Sequence, residues 1–304
     1  MDVGMVGLGK MGANMAERLV HGSHRVVGYD LSAEAVVRVV GFGAQGAESL
    51  AALADALPTP RAVWLMVPAG DPVDRTLGDL LPHLTPGDAV IDGGNSNFRD
   101  TLRRAEMCHA AGIHLIDAGT SGGVWGLAEG YSMMVGGDET AVTRLTPLFQ
   151  TLAPGPERGW GRVGPSGAGH FVKMIHNGIE YGLMEAYAEG FALLRAKREW
   201  NLDLAAIAEI WRYGSVIRSW LLDLTAAALT DDPTLADVAP YVPDSGEGRW
   251  TVLEALELEV PAPVITLALM QRLESRDREE YADRLLAVMR GRFGGHAVKP
   301  GDSR

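Results

Sequence analysis

Asp2-Val3-Gly4-Met5-Val6-Gly7-Leu8-Gly9-Lys10-Met11-Gly12 is a short apolar run that passes through a GxGxxG pattern into an amphipathic stretch ending near His21. Between a strand and a helix this glycine spacing has physical meaning. The first glycine makes a tight turn, the second lets the backbone approach a pyrophosphate, and the third lets the helix pack closely on the strand. The helix N-terminus then offers free N–H groups to phosphate. Taken alone, the six residues also fit a plain glycine-rich turn. The next apolar run, Arg25–Tyr29, ends beside Asp30, where a dinucleotide fold places an acid that accepts from both ribose hydroxyls. Its charge repels a 2′-phosphate, and Leu31, Ser32 and Ala33 offer no arginine to neutralise one, so NAD is expected over NADP. The competing reading of Asp30 is a cap on the following helix.

Outward from this start, further strands are expected at Ala62–Val67, Ala89–Asp92, His114–Asp117 and Ser132–Val135, with helices at Gly12–His21, Pro72–His83 and Asn97–Ala111. Ser96 or Asn97 is the expected N-cap of the last. Such alternation is the pattern of an α/β, doubly wound Rossmann-type parallel sheet. The character changes at Arg162-Val163-Gly164-Pro165-Ser166-Gly167, a breaker cluster, after which everything looks helical. Helices are expected at Ala168–Trp200, Leu204–Arg212, Ser219–Leu229, Pro263–Arg276 and Glu279–Arg290. The resulting division is a cofactor-binding domain over 1–164, an all-α domain over 165–290, and a tail over 291–304. The tail is read as too rich in glycine and proline to be helical.

Composition narrows the function. With 304 residues, 47% of them hydrophobic, the chain can bury a sizeable core. A formal charge of −12 argues against nucleic acid or an anionic membrane as a general partner. No apolar run reaches the ~20 residues of a membrane helix, and no signal peptide is evident at the N-terminus. A cytoplasmic protein is expected. The one cysteine, Cys108, excludes disulfides within the chain and reads as a buried, inert thiol. No HExxH pattern or Cys/His cluster suggests a metal.

Asp92-Gly93-Gly94-Asn95-Ser96 and Asp117-Ala118-Gly119-Thr120-Ser121-Gly122-Gly123 each follow an expected strand and are read as loops at the edge where open α/β sheets bind ligands. The more informative stretch is Lys173-Met174-Ile175-His176-Asn177-Gly178-Ile179-Glu180-Tyr181-Gly182. Lys173, His176, Asn177 and Glu180 stand at helical spacing, so one face carries an amine, an imidazole, an amide and a carboxylate. Phe171, Val172, Met174, Ile175 and Ile179 make the rest of this segment apolar, and a polar stripe on a central helix is costly unless it lines a cavity or is paired. A solvated face, or an ion pair between Lys173 and Glu180, is the bland alternative.

Together, GLGKMG, IDGGNS, DAGTSGG and KMIHNGIEYG resemble the motif set of the 6-phosphogluconate dehydrogenase family. The resemblance implies Lys173 as general base and Glu180 as general acid. Substrate would be held by Asn95, Ser121, Gly122, Gly123, His176, Asn177 and Tyr181. NAD contacts would come from Gly7, Leu8, Gly9, Lys10, Met11, Gly12, Asp30, Val67, Pro68, Ala69 and Asn95. Gly246-Glu247-Gly248-Arg249-Trp250-Thr251 is similar to a phosphate-binding segment in which Arg249 replaces a lysine and Thr251 is kept. Arg290-Gly291-Arg292-Phe293-Gly294-Gly295-His296 resembles an element whose arginine and histidine reach a neighbouring subunit, so Arg290 and His296 imply a homodimer or homotetramer. Long family members carry a second helical half absent here, which implies the short, NAD-preferring form, and Arg272 and Arg276 are out of register for a further phosphate-binding arginine. The implied reaction is oxidative decarboxylation of 6-phosphogluconate. A non-decarboxylating β-hydroxyacid dehydrogenase of the hydroxyisobutyrate type is the rival enzyme, and a non-catalytic NAD-sensing protein the rival of another class.

Overall fold

A computed structural model describes residues 1–294 and 297–299. The chain forms two compact units, Met1–Ile179 and a second that begins at Glu180.

In the first unit eight strands form one sheet: β1 (Asp2–Val6), β2 (Arg25–Tyr29), β3 (Gln45–Gly46), β4 (Ala62–Leu65), β5 (Ala89–Asp92), β6 (His114–Ser121), β7 (Ser132–Gly136) and β8 (Trp160–Gly164). Their spatial order is β3-β2-β1-β4-β5-β6-β7-β8, with every neighbouring pair parallel except β6 and β7. The order reverses between β1 and β4, which is the topological switch point of a doubly wound sheet. Side chains alternate across the pleat. Met5 and Trp64 belong to the apolar cluster on one face, Val6, Val63 and Leu65 to the cluster on the other. Both faces are therefore covered, as a parallel sheet requires.

Helices α1 (Lys10–His21), α2 (Ala33–Val40), α3 (Leu50–Asp55), α4 (Asp71–Leu80), α5 (Phe98–Ala110), α6 (Gly126–Glu129) and α7 (Glu139–Leu152) connect the strands. The cap of α5 is Asn97, whose side chain accepts from the Arg99 N–H at 2.9 Å. Two expectations change here. The segment Asp117–Ser121 is strand rather than loop, because Ala118–Ser121 pairs antiparallel with Ser132–Val135. Two strands, β3 and β8, are additions; β3 is only two residues long and β8 carries two glycines, so neither shows an apolar run.

Helix α8 (Ala168–Ala196) continues into the second unit, which adds α9 (Leu204–Arg212), α10 (Trp220–Asp231), α11 (Glu247–Glu257), α12 (Pro263–Glu274) and α13 (Tyr281–Gly294). The expectation of a non-helical tail from Gly291 is corrected at its start, since α13 runs to Gly294. Glycine weakens a helix by only about 1 kcal/mol, and Arg292 and Phe293 tolerate the conformation. No helix among the described residues is long and apolar enough to cross a membrane.

Candidate active site

The glycine-rich turn divides its labour as its spacing predicts. Gly7 has φ of +88°, and a Cβ added there would lie 2.6 Å from the Met66 carbonyl oxygen. At Gly12 a Cβ would fall 2.0 Å from the Gly7 carbonyl oxygen, so α1 can approach β1 only without a side chain. A Cβ at Gly9 would meet nothing within 4 Å, which leaves open space beside the turn. No side chain caps α1 at Gly9, so its first N–H groups are available to an anion. An open cradle beside an uncapped helix fits a dinucleotide pyrophosphate.

Asp30 is half-buried and does not cap α2; that role belongs to Ser32, whose hydroxyl accepts from the Ala35 N–H. The Asp30 carboxylate instead accepts from Leu8 N–H at 2.6 Å and Ser32 N–H at 2.8 Å. A carboxylate has about four acceptor positions, so capacity for a ribose remains. Leu8 itself is fully buried, and its carbonyl accepts from Arg38, a residue of α2 that the sequence reading passed over. Lys10 is exposed, Met11 half-buried. Beyond β4, Val67 is half-buried and Pro68 and Ala69 are exposed; beyond β5, Asn95 is exposed on a loop shaped by Asp92, whose carboxylate accepts from the Ser96 hydroxyl at 2.7 Å and the Gly94 N–H at 3.1 Å.

The start of α8 is fastened to β6. Asp117, fully buried, accepts from Gly167 N–H at 2.7 Å and His170 N–H at 2.9 Å, which satisfies orphan donors at the helix N-terminus. The His170 ring shares a 2.7 Å hydrogen bond with the Thr101 hydroxyl. One turn along, Lys173 lies against Gly119, where a Cβ would be 2.4 Å from the Lys173 Cβ. Lys173 is 6% exposed and Asn177 8% exposed, so the polar stripe is no solvated face in this stretch. The His176 ring meets the Asn177 side-chain oxygen at 3.0 Å. Ser121 and Gly122 are half-buried and Gly123 is exposed, with φ of +129° and +52° at the two glycines.

Within the second unit Glu180 is half-buried and Tyr181 is buried. The Tyr181 hydroxyl donates to Asp244 at 3.3 Å, and the Arg272 guanidinium lies 3.6 Å from the centre of its ring. Arg249 donates to the same Asp244 from Nε at 3.2 Å and Nη2 at 2.8 Å. The carboxyl of Asp244 is held below its ordinary range although burial alone would raise it, because the Arg249 fork and the Gly246 N–H stabilise its charged form. Thr251 is buried, with its hydroxyl on the Glu247 carbonyl at 2.9 Å. The structure thus gathers Tyr181, Asp244, Arg249 and Arg272 into one cluster. Asp244 was missed because it lies at no motif spacing, and Arg272, out of register in the sequence for a phosphate-binding arginine, is brought into the cluster by its ring contact. Arg290 is exposed on α13, and His296 lies outside the described residues. Burial pushes the Cys108 thiol up to about 11, in accord with an inert role.

Residues 2–161 match the family model described as the NAD binding domain of 6-phosphogluconate dehydrogenase, and residues 169–292 match that of its C-terminal domain. A Haloferax volcanii protein named NAD(+)-dependent, decarboxylating 6-phosphogluconate dehydrogenase is 49% identical over 299 residues, 98% of each chain. Among solved structures, Plasmodium falciparum 6-phosphogluconate dehydrogenase superposes with a TM-score of 0.83 at 28% identity, over all of this chain and 67% of its own. Mycobacterium tuberculosis 3-hydroxyisobutyrate dehydrogenase gives 0.70 at 25% identity, over 88% of this chain and 90% of its own.

Proposed function

The chain belongs to the 6-phosphogluconate dehydrogenase family, and we infer from that membership that it converts 6-phospho-D-gluconate to ribulose 5-phosphate and carbon dioxide with reduction of NAD. The observation that carries the chemical assignment is the burial of Lys173, at 6% exposure, on a helix start anchored to the sheet by Asp117. A base must be positioned and partly neutral, and removal from water favours the neutral form of an amine.

NAD, when bound, supplies the acceptor for the two electrons and the hydrogen that leave C3. The cradle at Gly7–Gly12 and the Asp30 carboxylate hold it, with Val67, Pro68, Ala69 and Asn95 along the edge. Lys173 takes the proton of the 3-hydroxyl as C3 is oxidised. The resulting acid has its carboxylate β to a ketone, and the C1–C2 bond electrons pass into that carbonyl as carbon dioxide departs. The Lys173 ammonium stabilises the developing enolate oxygen. Glu180 then delivers a proton to the carbon that lost the carboxylate, and the enolate becomes the ketone of ribulose 5-phosphate.

Ser121, Gly122, Gly123, His176, Asn177 and Tyr181 orient the sugar acid in this reading, and Arg249 and Thr251 face its phosphate. The contact of Arg272 with Tyr181 supports Arg272 as a second cation in that cluster. Arg290 and His296 are assigned to the site of a neighbouring subunit, which makes the active form a homodimer or homotetramer. The domain assignment is 1–164 for cofactor, 165–290 for substrate and dimerisation and 291–304 for the shared tail.

The test is stoichiometric: NADH and carbon dioxide should form one for one from 6-phosphogluconate, with much lower rates on unphosphorylated gluconate and with NADP. Reduction of NAD by 3-hydroxyisobutyrate without release of carbon dioxide would move the chain to the rival chemistry.

A further inference from the structure

Arg104, on α5, has a fully buried side chain. Taking a guanidinium out of water costs several kcal/mol unless its donors are met, so its partners identify what the burial serves. Nε donates to Asp74 Oδ1 at 2.9 Å and Nη2 to Asp74 Oδ2 at 3.0 Å, a fork on the first turns of α4. Nη2 also donates to the Gly70 carbonyl at 3.0 Å, at the end of the segment that follows β4. On the other side Nη1 donates to the Ser96 hydroxyl at 3.3 Å and lies 3.8 Å from Asp92 Oδ2. Ser96 and Asp92 are themselves buried and bonded to each other at 2.7 Å. One cation therefore joins the loop that carries Val67, Pro68 and Ala69 to the loop that carries Asn95. Both loops leave the carboxyl ends of adjacent parallel strands, where an open α/β sheet binds its ligand.

We propose that Arg104 is a positioning residue, which sets the spacing of the two loops that grip NAD and present Asn95 to the substrate. It touches neither ligand and acts through Gly70 and Ser96. The inference rests on the reading of those two loops as the cofactor edge. Arginine suits the task where lysine does not, because the planar fork can reach Asp74, Gly70 and Ser96 at once, whereas one ammonium on a flexible stem cannot hold both loops. If the guanidinium served only to fill space and balance charge, its loss would strand Asp74 and Asp92 and lower stability, but the kinetic constants of whatever enzyme folds would be unaltered.

The test compares Arg104→Lys, Arg104→Met and Ser96→Ala with the unaltered full-length enzyme, by thermal melting, NADH titration and steady-state kinetics. Arg104→Lys should raise KM for NAD about tenfold and lower kcat by a similar factor, as displacement of a positioned group by less than 1 Å can do. Ser96→Ala, which frees only the second loop but leaves buried groups of Asp92 and Arg104 without that partner, should raise KM for NAD by about threefold and lower the melting temperature as well. A structural role alone predicts a lower melting temperature with constants within twofold of the unaltered enzyme in whichever variants fold, and that outcome overturns the proposal. Asn95→Ala separates the two levels of the argument. If it leaves both KM values unaltered, the cofactor-edge reading fails whatever Arg104 does; if it raises them while Arg104→Lys and Ser96→Ala change nothing, the proposal alone fails.

Discussion

The two units hold their clustered polar groups by different means. In the sheet unit the polar residues are buried and tied to backbone. Asp117 holds the N–H groups of a helix start, Asp92 those of a loop, and Arg104 a carbonyl. In the helical unit the corresponding cluster is made mainly between side chains, Arg249 on Asp244, Tyr181 on Asp244 and Arg272 over Tyr181, with backbone ties at Gly246 and Pro243. Their apolar surfaces differ likewise. Trp64, Met5, Leu8, Leu19 and Leu77 are fully buried in the first unit, whereas Leu193, Trp200, Ile210, Leu256 and Leu267 of the second are each more than 60% exposed. A backbone-anchored site is rigid and intolerant of change; a site made between side chains on partly exposed helices gains definition from whatever covers them.

That contrast can be broken experimentally. The largest effect is expected from Lys173→Met, which should lower turnover by about a thousandfold or more while NADH still binds, because general base catalysis is lost and the cradle is untouched. Near-normal turnover would remove Lys173 from the mechanism. Next in size is Gly119→Ala, whose Cβ would sit 2.4 Å from Lys173 Cβ and 2.7 Å from the Gly169 carbonyl oxygen. Overpacking there should destabilise by about 1–3 kcal/mol in urea unfolding and depress kcat. The matched change in the other unit, Gly190→Ala, places its Cβ in open space within α8 and should stabilise by about 0.5–1 kcal/mol. Equal penalties at the two sites would erase the distinction between the units.

Two smaller effects sharpen it. If the exposed apolar helices are covered by another copy of the chain, the melting temperature should rise with protein concentration. Leu256→Ser should then shift sedimentation toward smaller species; a concentration-independent melting temperature and unchanged sedimentation would count against such a cover. The smallest concerns acid. The Arg104 and Arg103 guanidiniums hold the Asp74 carboxyl down at about 2 from an ordinary 3.8. A depressed carboxyl contributes stability that is complete above its unfolded value and is lost as pH falls through the folded one. The urea midpoint gap between the unaltered chain and Asp74→Asn should thus hold at pH 5 and shrink between about pH 4 and pH 2; a gap that is constant over that range would deny the linkage.

Much of this was written in local pattern. The strands at Asp2–Val6, Arg25–Tyr29 and Ala89–Asp92 and the helix at Leu204–Arg212 follow from apolar periodicity. The open space at Gly9 and the burial of Lys173 follow from a glycine spacing and from an apolar helix with a polar stripe. By contrast, α11 lies in a segment dense with glycine and charge, so its periodicity gives no signal. The strand through Asp117–Ser121 was read as a loop because its glycine and hydroxyl residues look like turn chemistry, and only pairing with β7 makes them sheet.

The sequence by itself determined the doubly wound sheet and the glycine-rich turn with open space beside it, because each rests on residue types at short, regular spacings. Tertiary structure alone decided that Asp117 caps the start of α8 from 50 residues away, that Arg104 joins Gly70, 34 residues distant, to Ser96 on the next loop, and that Arg272 stacks on Tyr181. The physical reason is that hydrogen bonds and ring contacts between buried groups depend on distances in space that the fold creates, and no local pattern encodes them.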